Sequence, residues 1–567
     1  MNYDLVIRNG TIVDGSGAPA YRGDVGVVGD RIATLGTITD KGSQEIDAEG
    51  HYVTPGVVDG HTHMDAQVFW DELGTNSCWH GVTSVVMGNC GFTLAPASYE
   101  GRELAVANLE RAEDIARTSL EAGIDWSWTS FPEYLDAVDR MPKGLNYAAN
   151  IGHSPLRTWN MGEAAFEREA TPDELARMAV QVREAIRAGA VGFTTSRSIN
   201  HETPDDLPVA SRLASWDEVR ALVGVLGEER RGVFEIANEA AVASRDPDER
   251  HEYYARLRAL ALDTGVPVTF GLFASTIGNE LLAVIDDVNA SGGTMFGLTH
   301  CRGVGSVMSF LTRMPFDGFT EWKKIRSLPH AQQLAALKDP AVRARLVDDA
   351  NNAEFGRAIG AEARRPKYER MEVMRSAHLR NATVAQEATA RGTGPVEAII
   401  DIAIETELKA LFSQVITPQP EELLFPMLRH PATAMTFSDS GAHVSQIVDS
   451  SIQTYLLASM VRDREIFTWE EAVRMITHRP ALHWHLQDRG LLQEGMMADI
   501  NVFDPDTIAP DLPVVADDLP GGGRRYLQRA TGIAATVVNG TVLFRNGKET
   551  GERPGRLLRG GASMANG

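Results

Sequence analysis

The sequence has only three cysteines among its 567 residues, and they lie far apart. Cys78, Cys90 and Cys301 form no Cys-x-x-Cys pair, so no disulfide framework is expected. The first residues contain neither a basic segment nor a long apolar one, which argues against a secretory signal peptide. No run of roughly 18 apolar residues occurs, so no transmembrane helix is expected. These absences predict a reduced, cytoplasmic protein without a membrane partner.

Basic residues are also fewer than acidic ones. Lys and Arg number 54 against 77 Asp and Glu, which gives a formal net charge of −23 and a sequence pI near 5.1. A chain this acidic is a poor partner for the phosphates of nucleic acid. Its 43% apolar and 23% charged content is ordinary for a soluble globular protein and says little about the chemistry.

The middle of the chain alternates strand and helix patterns, whereas both ends are rich in strands. We predict a composite β domain from residues 1–55 plus 490–550, folded as a small β-sandwich. Residues 56–489 contain eight apolar strand candidates separated by helical patterns, which is typical of an α/β TIM-like (β/α)8 barrel. A flavodoxin-like open sheet is the competing fold. The predicted strands are 57–60, Thr83–Met87, Asn146–Ile151, Ala190–Thr194, Val233–Ala237, Pro267–Leu272, Thr294–Thr299 and Thr433–Phe437.

Two helices and one insertion stand out between these strands. Thr171 and Pro172 are typical of a helix start and predict a helix over Pro172–Ala188. A second amphipathic pattern covers Trp216–Glu229. Between the seventh and eighth strands, about 303–425, polar amphipathic helices form an insertion. It is expected to act as a lid over the active site, or alternatively as a peripheral or oligomerisation element.

Two histidines close the first predicted strand, in the segment Thr54–His63. Residues i and i+2 of a strand face the same way, so His61 and His63 point together. Two imidazoles held side by side supply half of the ligands of a zinc-type site. The sequence therefore predicts a metal site at the end of this strand.

Eight motifs spread over almost the whole chain occur together: Tyr3–Gly15, Thr54–His63, Gly81–Phe92, Ile151–Arg157, Gly189–Arg197, Ser438–His443, Asp488–Leu492 and Gly495–Asp504. Taken together, they make the chain resemble the amidohydrolase superfamily, and within it the D-aminoacylase (N-acyl-D-amino-acid deacylase) branch. The resemblance implies the barrel, a split β domain, a metal-activated water and a homo-oligomer.

The resemblance also implies roles for two further residues. Asp439 follows the eighth strand and is expected both to bind the metal and to act as the general base. Cys90, in Gly-Asn-Cys-Gly, occupies the position of a metal-ligating cysteine in this branch, and a thiolate is a strong zinc ligand. Cys78 and Cys301 lack such a motif and are expected to be structural.

The sequence departs from the branch at two strands. In D-aminoacylases the fifth and sixth strands each supply a metal-binding histidine, but here Glu235 stands on the fifth and the sixth has none. We therefore predict one divalent cation, most simply zinc, held by His61, His63, Cys90 and Asp439. Glu235 is expected to hydrogen-bond the metal-bound water, to act as a fifth ligand, or to share the role of base.

The remaining candidates are single residues near predicted strand ends. His153 and His300 are proposed to help at the reacting carbonyl, and His443 follows Asp439 by four residues. Arg302 and Arg197 are the nearby cations for an anionic substrate, although structural salt bridges explain them equally well. Phe273, together with Phe270, is expected to line a pocket for an apolar acyl or aryl group.

These observations together predict a metal-dependent amidohydrolase that cleaves a non-peptide C–N amide bond, with an N-acyl-D-amino acid or a related N-acyl amide as substrate. A cyclic-amide or lactone hydrolase on the same site is the alternative enzyme, since one barrel serves related carbonyls. A barrel that has lost activity and acts as a binding or scaffold protein is the alternative of another class. The presence of His61, His63, Cys90 and Asp439 together argues against it.

Overall fold

Eight parallel strands form the centre of the molecule, and we label them β1–β8 in chain order. The computed structural model describes residues 2–355 and 364–560. The strands pair in sequence order, each with the next. Nearly all of their residues are buried, as expected when helices cover a parallel sheet. The strands are β1 (Val57–Asp59), β2 (Val82–Met87), β3 (Asn146–Gly152), β4 (Gly192–Ser196), β5 (Val233–Ala237), β6 (Val268–Gly271), β7 (Met295–Thr299) and β8 (Thr433–Met435).

The two edges of this sheet meet through short extensions of β1 and β8. His61–Thr62 pairs in parallel with Phe437–Ser440, so the sheet curls round on itself. The open-sheet alternative is thereby excluded, and the predicted TIM-like barrel is confirmed. The eighth strand was predicted as one run, Thr433–Phe437, but it is interrupted at Thr436, whose hydroxyl donates to Val58 O at 3.0 Å and accepts from the Gly60 N–H.

Helices connect the barrel strands and cover the outside of the sheet. Pro172–Ala188 begins at the predicted residue because the Thr171 side chain accepts from the Glu174 N–H, and it ends at Gly189, whose φ of 115° suits glycine. The α-helices outside the insertion are Arg102–Glu110, Arg117–Gly123, Phe131–Arg140, His153–Met161, Pro172–Ala188, Trp216–Glu229, Pro247–Thr264, Thr276–Ala290, Glu421–Arg429, Ile452–Tyr455, Trp469–Ile476 and His478–His483, and Leu456–Asp463 is a π-helix.

Both ends of the chain contribute to one nine-stranded sheet beside the barrel. Strand Ile500–Phe503 pairs with Tyr52–Pro55, which joins the C-terminal strands to the N-terminal ones. Its other strands are Tyr3–Ile12, Tyr21–Val28, Arg31–Gly36, Gly42–Asp47, Ile533–Val538, Thr541–Arg545 and Lys548–Glu549. Two antiparallel pairs complete this region: the hairpin Val514–Leu519 with Gly523–Leu527, and the pair Ala509–Pro510 with Ala530–Thr531 that flanks it in the chain.

The segment between β7 and β8 folds around its own apolar core. Trp322, Phe316 and Phe412 are fully buried within that core. Its strands Val304–Met308, Met371–Val373 and Phe412–Thr417 form an antiparallel sheet. Its helices are Thr320–Arg326, His330–Lys338, Pro340–Asn352, Val384–Arg391 and Pro395–Glu405. Part of the predicted lid-like insertion, residues 356–363, lies outside the described residues.

None of the helices within residues 2–355 and 364–560 combines the length and the apolar composition needed to cross a bilayer.

Candidate metal centre

The metal ligands expected from the sequence converge at the carboxyl ends of the barrel strands. His61 and His63 follow β1, Cys90 follows β2, and Asp439 follows β8. His61 Nε2 lies 3.6 Å from Cys90 Sγ and 3.5 Å from Asp439 Oδ1, and His63 Nε2 lies 3.1 Å from Asp439 Oδ1. Ligand atoms around a tetrahedral zinc ion are separated by about 3.3–3.8 Å. The spacing of these four side chains therefore suits one divalent cation.

The backbone that carries these side chains adopts conformations that are rare for residues with a Cβ. Cys90, Asp439 and His443 have φ of 54°, 57° and 48°, in the left-handed region. Gly441, with a φ of 96°, could not be replaced, because a Cβ there would lie 2.4 Å from His63 O. Such conformations concentrate where the surrounding fold positions functional groups. Here they aim the thiol and the carboxylate at the two histidines.

Glu235 lies behind this cluster and contacts two of its members. Its Oε2 accepts from the Cys90 N–H at 2.8 Å, and its Oε1 lies 3.9 Å from His61 Nδ1. The carboxylate is 1% exposed, and burial raises its pKa to about 8. Glu235 thus fixes the backbone at Cys90 and faces the nitrogen of His61 that points away from the other ligands, as partners of metal-bound histidines often do.

Two residues that the sequence analysis did not select complete the cluster. Glu113 is 2% exposed, and its Oε2 lies 3.5 Å from His63 Nε2 and 3.8 Å from His443 Nε2. His201 offers a ligand atom within 4.8 Å of those of Cys90 and Glu113. Both stand on loops, after helix Arg102–Glu110 and after β4, where no strand or helix period indicates their direction. The only feature of the sequence that could have pointed to His201 as a site residue is its position four residues after the Gly189–Arg197 motif.

Several buried polar atoms of the cluster have no hydrogen-bond partner among the described residues. They are His61 Nδ1, both ring nitrogens of His63, and Glu113 Oε1. Burial acts to lower the pKa of His63, but the negative charges of Glu113 and Asp439 outweigh it and raise that pKa to about 9. Burial and three nearby carboxylates raise the pKa of the Cys90 thiol. A cation would satisfy these atoms and favour the thiolate, so the residues fit a divalent metal.

A cavity of about 340 Å³ opens directly onto this centre. Cys90, Glu113, Glu235, Asp439 and two histidines line one side of it, and no Lys or Arg lines it among the described residues. The rest of its wall is mostly apolar, formed by Ala237, Val242, Gly271, Phe273, Ile277, Gly278, Leu281 and Phe437, with the polar residues Ser198, Asn238 and Ser275 among them. Phe273 therefore lies where the sequence analysis expected it. Phe270, by contrast, is buried in the core and does not line the cavity.

The structure does not bring His153 and His300 into this cavity. His153 is fully buried, with Nδ1 2.8 Å from Thr195 Oγ1 and Nε2 2.9 Å from Glu218 Oε1. His300 Nε2 lies 3.2 Å from Asp449 Oδ2, and its Nδ1 is 2.8 Å from Arg302 O. Both rings are engaged in contacts of the barrel wall, so these contacts support structural roles.

The two arginines considered for an anionic substrate also lie outside the cavity. Arg197 donates to Glu239 at 2.8 Å and to Ala214 O at 2.6 Å. Arg302 donates to Asp449 at 2.9 Å and lines a separate cavity of about 870 Å³ beside the insertion. Their charges are already paired, which agrees with the salt-bridge explanation given for them above.

Comparison with known proteins places this geometry in a family. The chain is 28% identical to the D-aminoacylase of Alcaligenes xylosoxydans xylosoxydans, with 98% of this chain and 97% of the relative covered. It is also 28% identical to the N-acyl-D-glutamate deacylase of that organism, covering 99% and 98%. A solved D-aminoacylase, described as having a binuclear metal centre, superposes with a TM-score of 0.65 and 25% identity, covering 98% of this chain and all of the other.

The sequence pattern of the amidohydrolase family matches residues 44–544, which is most of the chain and includes every residue of the centre described above. The chain therefore belongs to the amidohydrolase family, hydrolases of carbon–nitrogen bonds other than peptide bonds, and is D-aminoacylase-like within it.

Proposed function

We propose that the protein hydrolyses the amide bond of a small N-acyl compound and that Asp439 is the general base. The observation that carries this proposal is the exposure of its carboxylate. All three carboxylates line the cavity, but Asp439 is 22% exposed, whereas Glu113 and Glu235 are 2% and 1% exposed. Asp439 Oδ1 faces the two histidines, which leaves Oδ2 as the oxygen nearer the substrate.

The reaction needs a carbonyl that is activated and a proton that is moved twice. A divalent cation held by His61, His63, Cys90 and Asp439 would polarise the carbonyl and lower the pKa of the attacking water. Asp439 accepts the proton of that water as its oxygen attacks the carbonyl carbon, and then donates the proton to the leaving amine. The bond from oxygen to the carbonyl carbon replaces the C–N bond, so the products are a carboxylic acid and an amine.

His443 is the neighbour best placed to assist Asp439. Its Nε2 lies 4.0 Å from Asp439 Oδ2, and both residues line the cavity. An imidazole N–H at this position can donate to a substrate oxygen while the carboxylate handles the proton. In this proposal Glu235 acts indirectly: its carboxylate accepts a hydrogen bond from the Cys90 N–H and thereby orients the thiolate.

The apolar wall of the cavity supports a substrate whose unreactive part is apolar. N-acyl-D-amino acids with apolar side chains are the first class, since relatives named D-aminoacylase and N-acyl-D-glutamate deacylase match 98% and 99% of the chain. Neutral amides are the second class. They are favoured by the three carboxylates at the centre and by the lack of Lys or Arg among the described residues that line the cavity.

The direct test is a hydrolysis panel that compares N-acetyl-D-leucine, its L-enantiomer, N-acetyl-D-glutamate, neutral anilides, hydantoins and lactones. Turnover is expected with the apolar D-amino acid or with the anilides. Phe273→Ala should lower kcat/KM for these substrates at least about tenfold, because it removes apolar contact area from the wall. Phe425→Ala, which truncates a half-buried ring outside the cavity, should leave kcat/KM unchanged. Exclusive turnover of hydantoins or lactones, or no turnover of any amide by metal-loaded protein, would reject the proposal.

A further inference from the structure

A second cavity, of about 870 Å³, lies between the insertion and the barrel. Among the described residues, it shares no lining residue with the cavity of the metal centre. Its volume is in the range of sites that hold a small molecule. We propose that this second cavity binds a free α-amino acid with an apolar side chain, in its zwitterionic form. The inference goes beyond the proposed function, because this binding requires neither the metal nor hydrolysis.

One face of the three-stranded sheet of the insertion forms the floor of this cavity. Side chains along a strand point alternately to the two faces of a sheet. Met371, Val373 and Phe412 point to one face and are buried in the core of the insertion. The opposite face, with the positions directly beside its strands, contributes these residues to the cavity: Val307, Arg370, Glu372, Met374, Ser413 and Val415. The floor therefore combines charged and apolar side chains.

Arg370 and Arg380 bring positive charge that the protein itself does not neutralise. Both line the cavity, and neither guanidinium has a hydrogen-bond or ion-pair partner among the described residues. A guanidinium binds a carboxylate through two parallel N–H···O bonds, which makes arginine well suited to this group. The two arginines therefore suit the carboxylate of a ligand.

Arg380 stands on a loop whose conformation is fixed by Asn381. The Asn381 Oδ1 accepts from the Arg375 N–H at 2.8 Å and from the Ser376 N–H at 3.0 Å. Its Nδ2 donates to Ser376 O at 3.0 Å and to Glu372 Oε2 at 3.2 Å, which ties the loop to the sheet. A binding residue on a loop is precise only when the loop is supported in this way.

Glu372 supplies the complementary negative charge. Its carboxylate accepts from Asn381 and forms no ion pair among the described residues. The other carboxylates that line the cavity are each paired with an arginine: Glu421 with Arg464 at 2.8 Å, Asp449 with Arg302 at 2.9 Å, and Asp463 with Arg462 at 2.7 Å. Two unpaired arginines and one unpaired carboxylate in the same cavity match the carboxylate and the ammonium group of an α-amino acid.

Apolar side chains beside these charges offer a surface for the side chain of the ligand. Val415 and Leu379 line the cavity and are 44% and 54% exposed, which is high for large apolar residues. Val307 and Met374 also line it and belong to a small apolar cluster at the junction of insertion and barrel. Covering such surface with an apolar group is favourable. Leucine is therefore a suitable probe, since it has both charges and a branched apolar side chain.

The test is a calorimetric titration of the whole, metal-loaded protein with leucine and with two analogues that each lack one charge. Wild type should bind D-leucine, L-leucine or both. Isocaproate lacks the ammonium group, and isopentylamine lacks the carboxylate. Each analogue should bind at least about tenfold more weakly than leucine, because one charged hydrogen-bonded contact is lost.

Variants of the charged residues assign each end of the ligand. Arg370→Gln and Arg380→Gln should each weaken leucine binding at least about tenfold and leave isopentylamine binding unchanged, since that amine has no carboxylate to lose. Glu372→Gln should weaken leucine binding and leave isocaproate binding unchanged. Such cross-comparisons separate a direct contact from a general loss of structure.

Matched controls come from the same part of the chain. Arg375→Gln alters an arginine that pairs with Glu387 at 2.6 Å, and Glu369→Gln alters an exposed carboxylate. Neither residue lines the cavity, so both variants should bind leucine as wild type does. Phe273→Ala changes the wall of the other cavity, at the metal centre, and should also leave leucine binding unchanged.

Four results would each overturn the inference: no binding of either leucine enantiomer, unchanged leucine affinity in both Arg370→Gln and Arg380→Gln, isocaproate binding to wild type as tightly as leucine, or loss of leucine binding in Phe273→Ala. If amides are hydrolysed and leucine does not bind, the inference fails and the proposed function stands. If leucine binds with the expected variant pattern and no amide is hydrolysed, the inference stands and the proposed function fails.

Discussion

At the scale of single residues, three carboxylates surround the same cluster and yet differ in what they can contact. Glu235 is engaged by the Cys90 N–H, and Glu113 faces His63 at 3.5 Å with almost no exposed surface. Asp439 alone among these three has an exposed fraction, 22%, that lets it reach a bound substrate. Proton transfer requires contact with the reacting atoms, so the geometry favours Asp439 over Glu113 and Glu235 as the general base.

Asp439→Asn should therefore lower the catalytic rate without altering the fold. Asparagine keeps the size of the side chain and an oxygen that can face the histidines, but it cannot accept the proton. We expect kcat to fall by about 10²–10⁴-fold, with an unchanged far-ultraviolet circular dichroism spectrum. Asp263→Asn, which alters an exposed carboxylate paired with Arg220, is the control and should retain full activity. Near-normal turnover by Asp439→Asn would exclude Asp439 as the base.

The residues that could be predicted from sequence are those attached to regular elements. His61 and His63 follow from the two-residue period of a strand, and Cys90 and Asp439 follow from motifs at strand ends. Glu113 and His201 could not be selected, since loops have no period that relates sequence position to direction. Arg302 was considered because it follows a strand end, but Asp449, 147 residues further along the chain, binds its guanidinium.

At the scale of elements, a buried network joins two helices to the barrel and accounts for His153. Glu218, on helix Trp216–Glu229, accepts from Arg157 at 2.6 Å and lies 2.9 Å from His153 Nε2. Burial acts to raise the pKa of Glu218, but His153 and Arg157 outweigh it and lower the pKa to about 2. Glu218 also lies in the first turn of its helix, where its backbone N–H donates to the capping side chain Ser215 Oγ at 3.2 Å.

This network predicts a stability that depends on pH. A carboxyl whose pKa is about 2 in the folded protein and about 4.5 when unfolded stabilises the fold above pH ~4.5, and that contribution is lost as pH falls towards 2. Glu218→Gln should therefore cost about 3 kcal/mol at pH 7, and the difference from wild type should narrow below pH ~4.5. The measurement is the urea unfolding midpoint of wild type and of Glu218→Gln at several pH values between 7 and 3.5. Glu228→Gln, on an exposed carboxylate of the same helix, should show no such difference, and a loss independent of pH would contradict the assignment.

Helices with strong end signals were predictable to the residue, and strands less so. Pro172–Ala188 matches its prediction because a cap, a proline and a glycine mark both ends locally. The eighth strand is interrupted because Thr436 bonds to Val58 and Gly60, nearly 400 residues earlier in the chain. A partner so distant in sequence leaves no local trace, so this interruption could not be predicted.

At the scale of the whole molecule, the metal centre connects parts of the chain that are far apart. Its residues run from His61 to His443 and belong to loops and strands on opposite sides of the barrel closure. The fold brings several negative groups together in a chain whose formal net charge is already −23. A cation bound there stabilises the folded form only, because the unfolded chain does not assemble the ligands.

Removal of metal should consequently lower the thermal midpoint of the wild-type protein. A ligand present at about 100 times its Kd stabilises the folded state by about 2.7 kcal/mol, and a chelator withdraws that contribution. We expect the midpoint, followed by calorimetry, to fall with chelator and to recover when Zn²⁺ is restored in excess. His61→Ala should respond little to either addition, because the cation position has lost a ligand. An identical response in wild type and in His61→Ala would mean that the stabilising ion binds elsewhere.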